Sequence, residues 1–563
     1  MIEFFPPALA VLLAAFVSAC CSGAAVRGGV AIIGALCALA LTWQVADGVV
    51  VVGSFLGYPL ELVEGTAPGR LFASFFALAL LAGVIYALQA ASRAELVAAQ
   101  VYAAGAIGVA FAGDLITLFL FWEMMALASV VLVWCGTTEG ARAAGIRYAV
   151  IHLIGALILK MGIEGIKHST GSLDLRPFAL DDLATGLLLA GILINAAAPP
   201  LSAWLPDAYP RATPSGSVFL SVFTTKTAVL ALILLFPGES LLIALGLYMA
   251  FYGILYALRE DNLRRILAYA LVTQVGFMVC VVGIGTEAAL NAAAAHAVTF
   301  IPAIALLFMA MGAVILRTGK EHCTELGGLY RSMPVAFWCT VIGALAISSV
   351  PLTGGFVSRS LIADATAGVE NLALVYTLLA IAASGVFLQV GIRLPWLVFF
   401  NRDSGLQGKD APGPMKTAMV ALAAVCLVLG AAPQLLYPLL PYAVEQQPYR
   451  ANNVLFHLQL MLFSGLGFFL LLPWLQPRKG IILDVDWLWR RGLPCLANLI
   501  SQVIGSRMGR AADRIVAIID ASTASARNTM GHSGPLGRSW EIGTTALWIV
   551  LLLMVYVFAY YLL

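Results

Sequence analysis

The stretch Gly113-Asp-Leu-Ile-Thr-Leu-Phe-Leu-Phe-Trp-Glu-Met-Met-Ala-Leu-Ala-Ser-Val-Val-Leu-Val-Trp-Cys135 is apolar, with a single carboxylate, Glu123, at its middle. About 20 apolar residues suffice for a helix to cross a bilayer, so this segment is predicted to span one. A carboxylate at that depth costs on the order of 3 kcal/mol on insertion scales and survives by facing a partner or a wet cavity. Glu123 is therefore the first candidate for a functional site. Its expected partner is Lys226, isolated in Pro214-Ser-Gly-Ser-Val-Phe-Leu-Ser-Val-Phe-Thr-Thr-Lys-Thr-Ala-Val-Leu-Ala-Leu-Ile-Leu-Leu-Phe236, because two opposite charges stranded in hydrocarbon should meet.

The rest of the chain has the same character. Of its 563 residues 61% are hydrophobic and 11% charged, against roughly 45–50% and about 25% in soluble domains. The formal net charge of +2 gives no sign of nucleic acid as a partner. Nine cysteines show no Cys-x-x-Cys spacing, which argues against zinc, iron–sulfur or disulfide frameworks, and no cofactor is expected. His322-x-x-Glu325 beside Cys323 is too small a cluster to be read as a metal site. The start, Met1-Ile-Glu-Phe-Phe-Pro-Pro7, lacks the basic region of a secretory signal and is read as leading into the first span.

Apolar windows predict an all-α, polytopic membrane protein with about sixteen spans, at roughly 8–22, 29–46, 70–91, 97–113, 114–135, 145–167, 183–209, 215–236, 239–258, 265–284, 287–316, 333–366, 371–400, 414–438, 453–476 and 541–563. Two are interrupted. The seventh carries Pro199-Pro200 and Trp204-Leu-Pro-Asp207, and the twelfth carries Pro351-Leu-Thr-Gly354-Gly355. Proline removes a backbone donor and glycine relaxes the chain, so both helices should break. Such backbone is tolerated at membrane depth where it is buried or lines a cavity. The breaks lie five spans apart, each followed by a span expected to be unbroken, and matched breaks point to repeats that invert. The expected organisation is 1–95 as N-terminal spans, 96–236 and 237–400 as two inverted five-helix repeats, and 401–476 as further core helices. Residues 477–540 form a lateral helix and 541–563 an anchoring span.

Charge supplies the orientation. Arg27, Arg93, Arg142, Arg147, Arg211, Arg259, Arg264, Arg265, Arg317, Lys320, Arg331, Arg402 and Lys409 follow odd-numbered spans, whereas Arg70, Lys167, Arg176 and Arg450 follow even-numbered ones. The positive-inside bias puts the first group in the cytoplasm, and both termini on the outer face of the cell's inner membrane. Between the last two spans, Leu496, Leu499, Ile500, Val503, Ile504, Met508, Ala511, Ile515 and Ile518 share one helical face and Arg507, Arg510, Asp513 and Arg514 another. An amphipathic helix of this kind lies along a membrane or along neighbouring spans.

Several strings share one resemblance. Phe121-Trp-Glu123, Pro200-Leu-Ser-Ala-Trp-Leu-Pro-Asp-Ala208, Thr213-Pro214, Thr225-Lys-Thr227, Leu263-Arg-Arg-Ile-Leu-Ala-Tyr269 with Gln274-Val-Gly-Phe277, and Leu326-Gly-Gly-Leu329 with Met333-Pro334 occur in this order. Over roughly residues 95–400 the chain resembles the antiporter-like subunits of respiratory complex I, Mrp cation/proton antiporters and membrane-bound hydrogenases. Asp484-Val-Asp-Trp487 is similar to the D-type subunits of the Mrp antiporters. The resemblance implies fourteen core spans, inverted repeats and a line of buried charges that passes protons. It also implies other membrane subunits as partners, with the lateral helix clamping them. Glu123 then matches the family's essential glutamate, and Lys226 its span-eight lysine.

The chain also departs from that pattern. Asn195 stands where the family usually has a lysine that pairs with the glutamate. His296, Phe300 and Ile304 replace a run of two polar or titratable residues and a lysine, and Arg359 replaces the gating lysine or glutamate of the twelfth span. Asn195 and Ile304 do not titrate, and arginine keeps its proton. Lys160, with Glu164 one turn on, is the candidate replacement for the missing lysine; a pair snorkelling at the membrane edge is the plainer alternative. His296 is either a relay member or a core histidine, His152 a weaker instance of the same choice, and Arg359 a fixed charge or a ligand for carbonyls freed by the break. Asp207 is expected to tie or cap the broken helix.

The function expected is translocation of protons, or their exchange for sodium, by a subunit of a larger complex. The rivals are a scaffold that has lost conduction and a membrane partner of a soluble redox or carbon-uptake enzyme. No bond-breaking catalysis is expected, since nothing groups Ser, His and Asp into a triad.

Overall fold

The free N–H groups of a helix's first turn need acceptors, and at several spans here the side chain of the residue before the helix supplies one. Thr66, Ser92, Asp114, Asp182, Thr213, Asn262 and Thr286 do this, each taking a backbone N–H from the turn it precedes. Such caps are worth about 1 kcal/mol apiece.

The protein is seen in a computed structural model that describes residues 5–55, 58–367, 370–406 and 409–477, with a few single positions from Asp484 onward. The chain divides into two units, Met1–Ile482 and Leu483–Leu563. The elements below belong to the first; the expected lateral helix and last span lie outside the described residues.

Helices α1 (Pro7–Cys20) and α2 (Ala24–Thr42) lead into an antiparallel hairpin, β1 (Gly48–Phe55) and β2 (Tyr58–Gly65). Then come α3 (Ala67–Ala87), α4 (Arg93–Ala110), α5 (Leu115–Trp134) and α6 (Ala141–Thr170). The next span is divided into α7 (Leu183–Asn195) and a five-residue turn, α8 (Trp204–Ala208), and is followed by α9 (Pro214–Val222) and α10 (Thr224–Leu235). The second half runs through α11 (Leu241–Arg259), α12 (Leu263–Ile284), α13 (Glu287–Thr318), α14 (Pro334–Ile347), α15 (Gly354–Thr366) and α16 (Ala373–Val386). Helix α16 widens into π-helical turns at Phe387–Arg393 and Trp396–Phe400. Helices α17 (Gly413–Ala431) and α18 (Ala451–Leu470) complete the unit.

Among the described residues eleven helices are long and apolar enough to cross a membrane, so this is a multi-pass membrane protein; Pro7–Cys20, Leu183–Asn195 and Pro334–Ile347 are shorter. The most apolar windows of α12 and α13 are wholly buried, whereas that of α18 is 17% buried. Helix α13 is the hub, packed on α3, α9, α10, α12, α14, α15 and α17. Helices α11 and α12 touch backbone to backbone. A Cβ on Gly246 would sit 2.3 Å from the Cys280 nitrogen, and one on Gly276 2.6 Å from that of Ala250, so only glycine permits the approach.

Two features depart from the sequence expectations. Strands β1 and β2 pair as a hairpin in the connection left between the second and third expected spans, and the runs Val49–Val52 and Leu60–Val63 carried its signal. The span after the first break is not continuous either: helical bonding lapses at Phe223, between α9 and α10.

At the first break Ala197 takes a left-handed conformation and the Pro199–Pro200 bond is cis. At the second, Ser349 and Leu352 are left-handed on either side of Pro351. Helix α17 braces this segment, because Gly430 has no side chain: a Cβ there would lie 2.3 Å from the Thr353 nitrogen. Tyr449 ties both sides, accepting from the Leu352 N–H at 3.3 Å and donating to the Gly430 carbonyl at 2.5 Å.

Candidate functional site

Helix α5 holds Glu123 half-buried, and its Oε1 is buried with no hydrogen-bond partner among the described residues. The expected ion pair with Lys226 is not formed. The helices of the two residues meet nearby, where Thr227 Oγ1 lies 3.7 Å from Met125 Sδ. Lys226 itself is 0% exposed. Its ammonium donates to the Ser221 carbonyl at 2.6 Å, at the end of α9, and lies 4.7 Å from the Phe300 ring centre. The reason is local: the lapse at Phe223 turns a backbone acceptor towards the ammonium, and an aromatic face offers partial compensation for its charge.

Lys160 pairs with Glu164 at 2.5 Å rather than with Glu123. The hairpin holds that pair, with the Tyr58 hydroxyl 3.3 Å from Glu164 Oε1 and the Tyr58 ring beneath Lys160 and Lys167. Lys160 still reaches the helix of Glu123, lying 5.7 Å over the Phe119 ring one turn earlier. Asn195 is buried at the end of α7, donates to the Gly191 carbonyl at 3.2 Å and faces His152. Trp204, past the break, donates to the Ile194 carbonyl at 3.0 Å and stacks its ring edge-on to His152. Arg147 of α6 grips Asp207 with two bonds, of 2.7 and 3.0 Å.

The second half is more closely knit. His296, on α13, has Nε2 2.8 Å from Gln274 Oε1 and Nδ1 3.0 Å from Ser358 Oγ. Arg359 Nη2 approaches the same Gln274 oxygen at 3.4 Å, and the guanidinium lies 3.6 Å from the Phe277 ring centre. Arginine only donates, so the Gln274 oxygen must face it, and His296 Nε2 must carry a proton. The Gln274 amide nitrogen donates to the Ile347 carbonyl, just before the break. The expectation that Arg359 serves as a ligand for carbonyls of the break gives way to what its guanidinium meets: a shared acceptor on α12 and an aromatic face.

Ser358 makes this cluster a candidate switch. Its hydroxyl has one proton and two acceptors in reach, Nδ1 of a neutral His296 and the Gly355 carbonyl at 3.2 Å. A second proton on His296 would turn Nδ1 into a donor and send the Ser358 proton to Gly355, in the first turn after the break. Phe300, one turn along α13 from His296 and 6.4 Å from it between ring centres, also covers Lys226. A buried series thus runs Lys226, Phe300, His296, Gln274, Arg359.

Sequence reasoning took Gln274 and Phe277 only as part of the Gln274-Val-Gly-Phe277 string and passed over Ser358, because polar or aromatic residues at helical spacing carry no mark of their partners. Glu95 is a further case. It is 1% exposed on α4 and accepts from Thr213 and Ser215 hydroxyls at 2.7 and 2.5 Å, though its place beside Arg93 looks like a loop.

The family described as "NADH:quinone oxidoreductase/Mrp antiporter, TM" matches residues 112–384, which include Glu123, Lys226, His296 and Arg359. A Na(+)/H(+) antiporter subunit of Alkalihalophilus pseudofirmus, of the D type, is 28% identical over 362 residues, 61% of this chain and 73% of that one. Over these residues the chain is similar to the complex I and Mrp antiporter-like family. An uncharacterised protein of Mycobacterium tuberculosis is 30% identical over 420 residues, 68% of this chain. The match spans 64% of that relative's length. The antiporter-like fold is shared with a chain in the structure of the Mrp complex from Dietzia sp., at 22% identity and a TM-score of 0.68, over 77% of this chain and 94% of that one.

Proposed function

We propose that this chain is the ion-translocating membrane subunit of a multisubunit complex, moving protons or exchanging them for sodium along Glu123, Lys226, His296 and Arg359, with Lys160 and Asn195 at its flank. The observation that carries the proposal is the buried series from Lys226 to Arg359, whose two ends are cations inside an apolar bundle with no carboxylate in ion-pair contact among the described residues. Unpaired buried charge is costly and clusters at functional sites. The second break sets the Ile347 carbonyl against Gln274 of this series, and transporter folds use carbonyls freed at such breaks at their ion sites. In this proposal 96–236 and 237–400 are inverted repeats, the basic loops face the cytoplasm, both termini face outward, and the lateral helix clamps neighbouring membrane subunits.

The test is transport by the reconstituted complex with Glu123→Gln and with Lys226→Ala. Loss of ion movement with assembly intact supports the proposal; unchanged movement in both variants rejects it in favour of a scaffold. That second reading rests on one observation, that the Phe300 ring rather than a titratable group separates Lys226 from His296.

A further inference from the structure

We propose that Tyr102 of α4 is the positioning residue for Lys226: its hydroxyl holds α9 and α10 apart, and that separation presents the Ser221 carbonyl to the ammonium. In a continuous helix each N–H bonds the carbonyl four residues back, so Thr224 would donate to Leu220 and Thr225 to Ser221. Here the Thr224 N–H goes to the Tyr102 hydroxyl at 3.1 Å, and the Thr224 hydroxyl lies 2.5 Å from the same oxygen. The Tyr102 ring also meets Phe223, at the lapse, edge-on with 4.9 Å between centres. Helical bonding resumes with the Lys226 and Thr227 N–H groups, both of which go to the Phe223 carbonyl, at 3.0 and 2.9 Å. The ammonium of Lys226 then takes the Ser221 carbonyl at 2.6 Å.

The sequence supplies no local reason for the lapse. Helices part at proline, at glycine, or where a side chain enters the bonding ladder, and residues 217–235 contain neither proline nor glycine. The side chain that enters is Tyr102, 0% exposed and fixed on a neighbouring helix. Without its hydroxyl the Thr224 N–H would be a buried donor with no acceptor, a costly state that rejoining the Leu220 carbonyl relieves. Rejoining would hand the Ser221 carbonyl to Thr225 and leave the ammonium with the Phe300 ring. That Lys226 carries ions rests on the function proposed above; where Tyr102 puts its ammonium does not.

The experiment is cryo-electron microscopy of the native complex carrying Tyr102→Phe, with ion flux in proteoliposomes for that variant, for Lys226→Ala and for the double variant Tyr102→Phe/Thr224→Pro. Expected in Tyr102→Phe is an unbroken helix through Phe223, a Lys226 ammonium moved off the Ser221 carbonyl, and flux lower by about ten-fold, the factor carried by one hydrogen bond to a charged group. A proline at position 224 has no N–H to return to α9, so the double variant should restore both the lapse and the flux, which a loss of packing alone would not allow. An assembled Tyr102→Phe complex with the lapse and Lys226 unmoved overturns the proposal, and so does a closed helix with wild-type flux where Lys226→Ala abolishes it. If Tyr102→Phe does not assemble, Lys226 lying off the Ser221 carbonyl in the double variant overturns it. Normal flux in Lys226→Ala rejects the transport proposal alone, and the Lys226 position in Tyr102→Phe still decides this one.

Discussion

Replacing Ser358 by alanine removes one hydroxyl from the His296 cluster and tests whether that hydroxyl answers the protonation of the imidazole. With His296 neutral, the variant loses an ordinary hydrogen bond into Nδ1, worth roughly 0.5–1.5 kcal/mol. With His296 doubly protonated it loses the acceptor of a charged donor, worth roughly 1.5–3 kcal/mol. The difference, on the order of 1–1.5 kcal/mol, makes charging His296 about ten-fold less favourable. If each transported proton visits His296, proton flux through the reconstituted complex should fall by about that factor, while Ser358→Thr, which keeps a hydroxyl, should retain most of it. The side chain is small and Ser358 is buried between α13 and the break, so assembly should survive and be verified by size-exclusion chromatography. Wild-type flux in assembled Ser358→Ala would refute the switch, since a bystander hydroxyl can be lost without kinetic effect.

Phe300→Ala should lower stability by about 3–5 kcal/mol as a large-to-small core change, read from thermal melting, whereas Phe300→His should keep packing and raise flux by placing a titratable ring between Lys226 and His296. A Cβ on Gly355 would lie 1.9 Å from the Ala346 carbonyl oxygen, so Gly355→Ala should push the break apart, cost about 1–3 kcal/mol and reduce assembled protein on native gels. Burial, then the neighbouring Asp114 and Asp174, raises the proton affinity of Glu61 in the hairpin. A carboxyl whose pKa is raised by folding stabilises below its unfolded value, near 4.3, and that contribution is lost as pH rises through the folded value. Amide-exchange protection of β2 should therefore weaken from pH 4 towards pH 7, and Glu61→Gln should flatten the dependence. Asp207→Ala should release Arg147 and loosen α8 from α6, seen as faster proteolysis at the loop following Ala208.

Apolar runs, the breaks and the identity of the stranded charges were all legible in the chain. Each depends on near neighbours in sequence: about twenty apolar residues make a span, and clustered prolines, or a proline with paired glycines, interrupt one, whereas the lone Pro302 is carried inside α13. The hairpin had its signal too, in Val49–Val52 and Leu60–Val63, but its runs are shorter than a span and fell in the connection between the second and third expected spans.

Partnership was decided only by tertiary structure. Glu123 and Lys226 are drawn together by charge alone if one considers nothing but the sequence, yet the lapse at Phe223 offers Lys226 a carbonyl and α13 offers it Phe300. The Lys160–Glu164 pair was legible in the sequence one turn apart, but the Tyr58 hydroxyl of the hairpin beside it was not. Gln274 has importance only because α12 sets its oxygen between His296 and Arg359, residues 22 and 85 positions away. Sequence spacing fixes which face of a helix a side chain occupies; which neighbour that face meets follows from how all the helices pack around α13, and no local pattern contains that information.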